Sequence, residues 1–169
     1  MRLAEPLRLA LLGTAVLILQ LALIASLPGW RTGFELYAIF ILLLAATRGP
    51  VLAGVFALAG GAVMDAYSNV FIVFHILFYL VPVGLGSLIR GQVLTEYRLL
   101  GSSAVVCLLL LKVLAMLGAA YAIGAVPSLS YLFRTNYVPI VACGVLVYAA
   151  WPWLNRLMGA GTEVRVVGR

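Results

Sequence analysis

The sequence predicts an all-α fold: a polytopic membrane protein with six transmembrane helices and both termini in the cytoplasm. Three observations carry that prediction. The chain is 65% hydrophobic and only 9% charged, with a mean hydropathy of +1.18, far outside the soluble globular range. Its apolar residues fall into long runs separated by short gaps, and its arginines alternate with those runs. Arg2 and Arg8 precede the first run, Arg48 lies in the second gap, Arg90 and Arg98 in the fourth, and Arg156, Arg165 and Arg169 follow the last. The other gaps hold only Arg31 and Arg134. Short basic loops are poorly translocated, so the arginine-rich gaps belong on the cytoplasmic side.

The expected spans cover approximately residues 9–27, 32–47, 50–66, 70–89, 101–124 and 137–155. The first can cross a hydrocarbon core of about 30 Å at about 1.5 Å per residue. It exceeds the roughly 7–15-residue core of a signal peptide, and Pro28-Gly29 closes it with Trp30 as an interfacial anchor. The second span is short, so residues 30–35 must enter the headgroup zone for it to cross. Arg48-Gly49-Pro50 forms a tight inner turn. Folding residues 36–64 as a re-entrant hairpin would instead place Arg48 near mid-membrane, at about 2.5–3.5 kcal/mol on insertion scales.

The third span is rich in small residues up to Met64, where Asp65 interrupts it, and the polar turn Tyr67-Ser68-Asn69 follows. Pro82, Gly84 and Gly86 loosen the inner half of the fourth span, which neighbouring helices can tolerate by re-satisfying the freed backbone groups. Residues 90–101 form the longest inner loop and residues 125–136 the longest outer one. The fifth span is interrupted only by Lys112, and Trp151 and Trp153 mark the inner interface of the sixth. No soluble domain or tandem repeat is visible, so residues 1–169 read as a single integral-membrane domain.

A net charge of +6 invites a nucleic-acid reading, but the arginines are dispersed at loop mouths and form no basic run. They read as anchors beside anionic lipid. Cys107 and Cys143 lie inside apolar runs and read as small hydrophobes. A lone His75 cannot build a zinc site, so no metal or cofactor is expected. No G-x-S-x-G, H-E-x-x-H or phosphate-binding loop occurs, which argues against an enzyme. An ion-coupled carrier would show broken helices in matching halves, and the Pro82/Gly84/Gly86 break has no twin.

Intramembrane charges face the bundle interior and tend to pair, so Asp65 and Lys112 need partners. From Arg48, Asp65 lies about 25 Å along its span, and Lys112 lies about 18 Å along the fifth. A snorkelling lysine stem can bridge that difference. The alternatives stay open: Asp65 pairs with Lys112, or it caps the outer turn while Lys112 snorkels alone, or it bonds to His75 across the turn. Ala53, Ala57, Gly61 and Asp65 share one helix face, and Lys112, Ala115 and Ala119 trace another. Small faces of this kind let helices approach closely in lipid, so both are assigned to internal packing. Gly54 and Gly118 lie off those stripes and are the candidate partner-facing positions.

Several short motifs together resemble the MreD family, the bacterial rod shape-determining membrane proteins. They are the Arg48-Gly49-Pro50 turn, the run from Gly60-Gly61 through Met64-Asp65, then Ser68, His75, and the span through Gly84 to Arg90-Gly91, with Leu19-Gln20 in the first span. At the turn the chain departs from the family, with Ser68-Asn69-Val70 where members often carry Ser-Gly followed by Leu-Gly. The resemblance implies a non-enzymatic scaffold of the cell-wall elongation machinery in the bacterial inner membrane. Its implied partners are the single-span protein MreC, the actin-like MreB, the polymerase RodA and a class B penicillin-binding transpeptidase. The family is also similar in fold to the substrate-binding subunits of energy-coupling-factor vitamin transporters, which supplies the alternative function. A vitamin pocket needs convergent polar groups, and the outer segments offer only Arg31, Glu35, Asp65, Tyr67, Ser68, Asn69, Arg134 and Asn136.

Overall fold

The computed structural model describes residues 4–26, 35–67, 73–89, 98–122, 124 and 129–157, and every regular element among them is an α-helix. In chain order these are α1 (Ala4–Ser26), α2 (Leu36–Arg48), α3 (Pro50–Tyr67), α4 (Phe74–Ile89), α5 (Arg98–Ala122) and α6 (Leu129–Leu157). Three of them contain stretches long and apolar enough to cross a membrane: Pro6–Ser26, Pro50–Tyr67 and Gly101–Gly118. α2 and α4 are shorter apolar helices. The chain is therefore a helical membrane protein.

α2 is the centre of the bundle. Tyr37 to Ala45 are buried without exception, as expected for a helix that is apolar on every side. It packs against α1, α3 and α4. At its C-terminal end Gly49 adopts φ 107°, a left-handed conformation that only glycine takes without strain. Its N–H donates to the carbonyls of Leu44 (3.3 Å) and Ala45 (3.1 Å), satisfying groups that a helix C-terminus leaves open. Pro50 opens α3, where a missing N–H costs nothing. One residue thus reverses the chain between two helices.

Small residues on α3 set the packing distance. Ala53, Ala57, Gly60 and Gly61 are all buried. A Cβ at Gly60 would strike the Tyr37 ring, and one at Gly61 would lie 2.6 Å from the Ile76 backbone. From the other side, a Cβ at Gly86 would lie 2.6 Å from the Leu42 carbonyl oxygen. α2, α3 and α4 therefore meet at backbone range, the close approach that drives helix association in lipid. α5 and α6 pair antiparallel, since Gly101 faces Trp151 and Gly144 faces Val106.

Two expectations need correction. Residues 129–136, read as outer loop, are the first turns of α6. Their polar residues masked an i, i+3, i+4 apolar set of Leu129, Leu132 and Phe133. Ala115, read as a packing position, is exposed. Among the described residues of α5 the buried ones are Gly101, Val105, Leu108, Leu109 and Lys112, an i, i+4, i+7 face that ends at Lys112. In the fourth span the described helix is Phe74–Ile89, and residues 70–72 lie outside the described residues. The Ala119 side chain, Ser68-Asn69 and Arg90-Gly91 lie outside the described residues.

Candidate functional site

Two polar clusters sit inside this apolar bundle. The first is local. Val73 stands in the N-cap position of α4, since the Leu77 N–H donates to its carbonyl at 3.1 Å. A valine side chain has no acceptor for the open N–H groups of the first turn, the usual task of a capping Ser, Thr, Asp or Asn. Asp65 of α3 performs that task from the neighbouring helix. Its Oδ1 accepts from the His75 backbone N–H at 2.8 Å and its Oδ2 from that of Ile76 at 3.3 Å. His75 Nδ1 also contacts Asp65 Oδ1 at 2.8 Å. A carboxylate at a helix N-terminus gains further from the helix dipole. Gly61 lies one turn below Asp65 and lets the start of α4 come close enough for these bonds.

The second cluster joins distant parts of the chain. Glu35, immediately before α2, is fully buried. Its Oε2 accepts from Gln20 Nε2 of α1 (2.7 Å) and from the Tyr79 hydroxyl of α4 (3.0 Å). Its Oε1 is ion-paired with Lys112 Nζ of α5. Side-chain exposure is 3% for Lys112 and 1% for Glu35, so neither charge is hydrated and each depends on the other. Gln20 is held in turn, because its Oε1 accepts the Tyr37 backbone N–H at 2.7 Å. Phe78 of α4 presents its ring to Lys112 Nζ at 5.8 Å, and Cys143 of α6 lies within reach of the Glu35 main chain. Among the described residues no buried side-chain nitrogen or oxygen lacks a partner.

The Asp65–Lys112 pairing is therefore corrected: Lys112 pairs with Glu35, and Asp65 with His75. Depth did not separate the candidates. Glu35 lies about 21 Å from the Gly49 turn and Asp65 about 24 Å, while Lys112 lies about 21 Å along α5. Lateral position decided it. α5 packs against α4 and α6, whereas α3 packs against α4 and α2, and the Asp65 carboxylate is already occupied by the start of α4.

Sequence reasoning placed Glu35 in the headgroup zone at the outer end of the second span and gave Gln20, Tyr37 and Tyr79 no role in the site. A signal existed: Gln20 is the one amide in its apolar run, and Glu35 abuts the next. Of the proposed packing positions, Ala53, Ala57 and Gly61 are buried. A Cβ at Gly54 or Gly118 would meet nothing within 4 Å, so both positions have open space beside them. Among the described residues no group of three or more His, Cys, Asp or Glu is arranged to hold a metal. No protein-family model, curated protein or solved structure matches the chain.

Proposed function

We propose that this protein is an MreD-like scaffold: six spans in the bacterial cytoplasmic membrane, both termini cytoplasmic, binding a single-span MreC-like partner. Through that partner it would connect to MreB and the peptidoglycan synthase. One observation carries the reading above all. Among the described residues, the buried Gln20, Glu35, Tyr79 and Lys112 bond to one another, helix to helix, and no buried side-chain nitrogen or oxygen lacks a partner. Glu35, which a vitamin-binding subunit would need in its outer pocket, is taken up by Gln20, Tyr79 and Lys112. The arginine asymmetry supports the orientation.

Partner recognition in lipid must come from close packing and a few polar contacts, because lipid tails are as apolar as the helices. The open faces beside Gly54 and Gly118 are where a partner helix could pack without disturbing the interior. Gly54→Leu and Gly118→Leu are expected to melt like the parent protein and to reduce co-elution with the MreC-like partner in mild detergent. Replacing residues 125–128, which precede α6, should leave co-elution intact. Loss of the partner on that replacement, with both leucine variants still binding, would refute recognition by helix packing.

A further inference from the structure

The six helices form two groups of unequal cohesion. α1 to α4 pack continuously through α2, and α5 and α6 pack on each other, but contact between the groups is thin and runs chiefly through α4 and α5. In lipid such contact gains little from hydrophobicity, since separated apolar faces are covered by acyl chains of the same polarity. A directional polar contact then dominates the junction. That contact is Lys112 on Glu35, accompanied by the Phe78 ring and by Cys143, whose sulfur is only a weak hydrogen-bonding group.

The junction is asymmetric. Gln20, Glu35, Tyr37 and Tyr79 all belong to the α1–α4 side and bond to one another without help from α5: Gln20 and Tyr79 donate to the same carboxylate oxygen, and Gln20 Nε2 also reaches the Tyr79 hydroxyl at 3.3 Å. They form a socket that stays assembled, with one carboxylate oxygen left for a cation. α5 supplies that cation on a long flexible stem.

We propose that Lys112 is a latch, and that the α5–α6 hairpin is a hinged module which the latch holds against the α1–α4 bundle. Rigid-body movement of one packed group against another is a standard conformational repertoire when the groups are internally tighter than their junction. This inference goes beyond the scaffold reading and does not depend on it. It gives the protein two lipid-facing outlines, closed and open, separated by one ion pair.

The test measures distances between spin labels in the full chain reconstituted in nanodiscs, with Cys107→Ser, at the exposed cysteine, as background and the buried Cys143 kept in place. Labels at Ala62 and Val145, both exposed, span the junction. Labels at Leu11 and Leu58 report on the bundle alone, and labels at Leu111 and Val138 on the hairpin alone. Lys112→Met is expected to lengthen the junction distance and at least double its width while both internal distances keep their widths. Because an unpaired Glu35 can prevent folding, the pair Glu35→Gln with Lys112→Met, which leaves no buried charge, is expected to show the same selective broadening. An unchanged junction distance, equal broadening of all three distances, or failure of both variants to fold would overturn the latch.

Discussion

The two polar clusters use similar chemistry and differ in reach. Asp65 and His75 are ten residues apart, on two helices consecutive in the chain, so the chain itself delivers one to the other. Glu35 and Lys112 are 77 residues apart, and nothing short of the assembled bundle brings them together. The first cluster shapes one helix start. The second ties α1, α2, α4 and α5 into one junction. A carboxylate in an apolar medium demands donors in either place; what differs is how much structure must form before they arrive.

The sharpest way to break the comparison is to remove the long-range cation. Lys112→Met leaves Glu35 with an uncompensated buried charge and should cost about 3–5 kcal/mol, seen as a large drop in melting temperature in detergent. Adding Glu35→Gln should recover part of that loss. Adding Asp65→Asn instead should be additive within about 0.5 kcal/mol, because Asp65 and Lys112 share no partner. A strong Asp65–Lys112 coupling would overturn the assignment of the two pairs.

Asp65→Ala is a smaller and more local lesion. It leaves the His75 and Ile76 N–H groups without their acceptor, at about 1–3 kcal/mol. Amide exchange should accelerate in the first turn of α4 and stay unchanged around Leu108 and Leu109 of α5. Uniform acceleration through the bundle would mean that the cap is not local.

The smallest effect is expected at Val73, whose φ of 80° is strained for a β-branched residue. Such conformations cost about 1–3 kcal/mol, and Asp65 holds this one in place by fixing the turn that follows. Val73→Gly should raise the melting temperature slightly in the parent protein. A clear decrease would show that the exposed valine contributes packing that outweighs its backbone strain.

Much of the architecture was legible in residue order. The apolar runs marked the helices, Arg48-Gly49-Pro50 marked the tightest reversal, and the stripe of Ala53, Ala57 and Gly61 marked a packed face. The hairpin placed His75 beside Asp65, though capping by Asp65 became visible only once Val73 stood at the start of α4. Residues 129–136 were misread because polar residues in a membrane chain suggest a loop even when their apolar neighbours keep helical spacing.

What the sequence alone could not determine was which helix lies inside. α1 and α2 both read as apolar spans, yet only 17% of the apolar window of α1 is buried while α2 is enclosed from Tyr37 to Ala45. In water, a polar face would have distinguished them. In lipid, the outside of the bundle is as apolar as its core, so hydropathy establishes that a segment is helical and membrane-embedded but says nothing about its neighbours. That choice fell to the tertiary structure, through small residues that admit a backbone and through buried polar groups that must find partners. Glu35 is the clearest case: its place in the chain suggested the headgroup zone, and the packing of α1, α4 and α5 around it made it the centre of the junction.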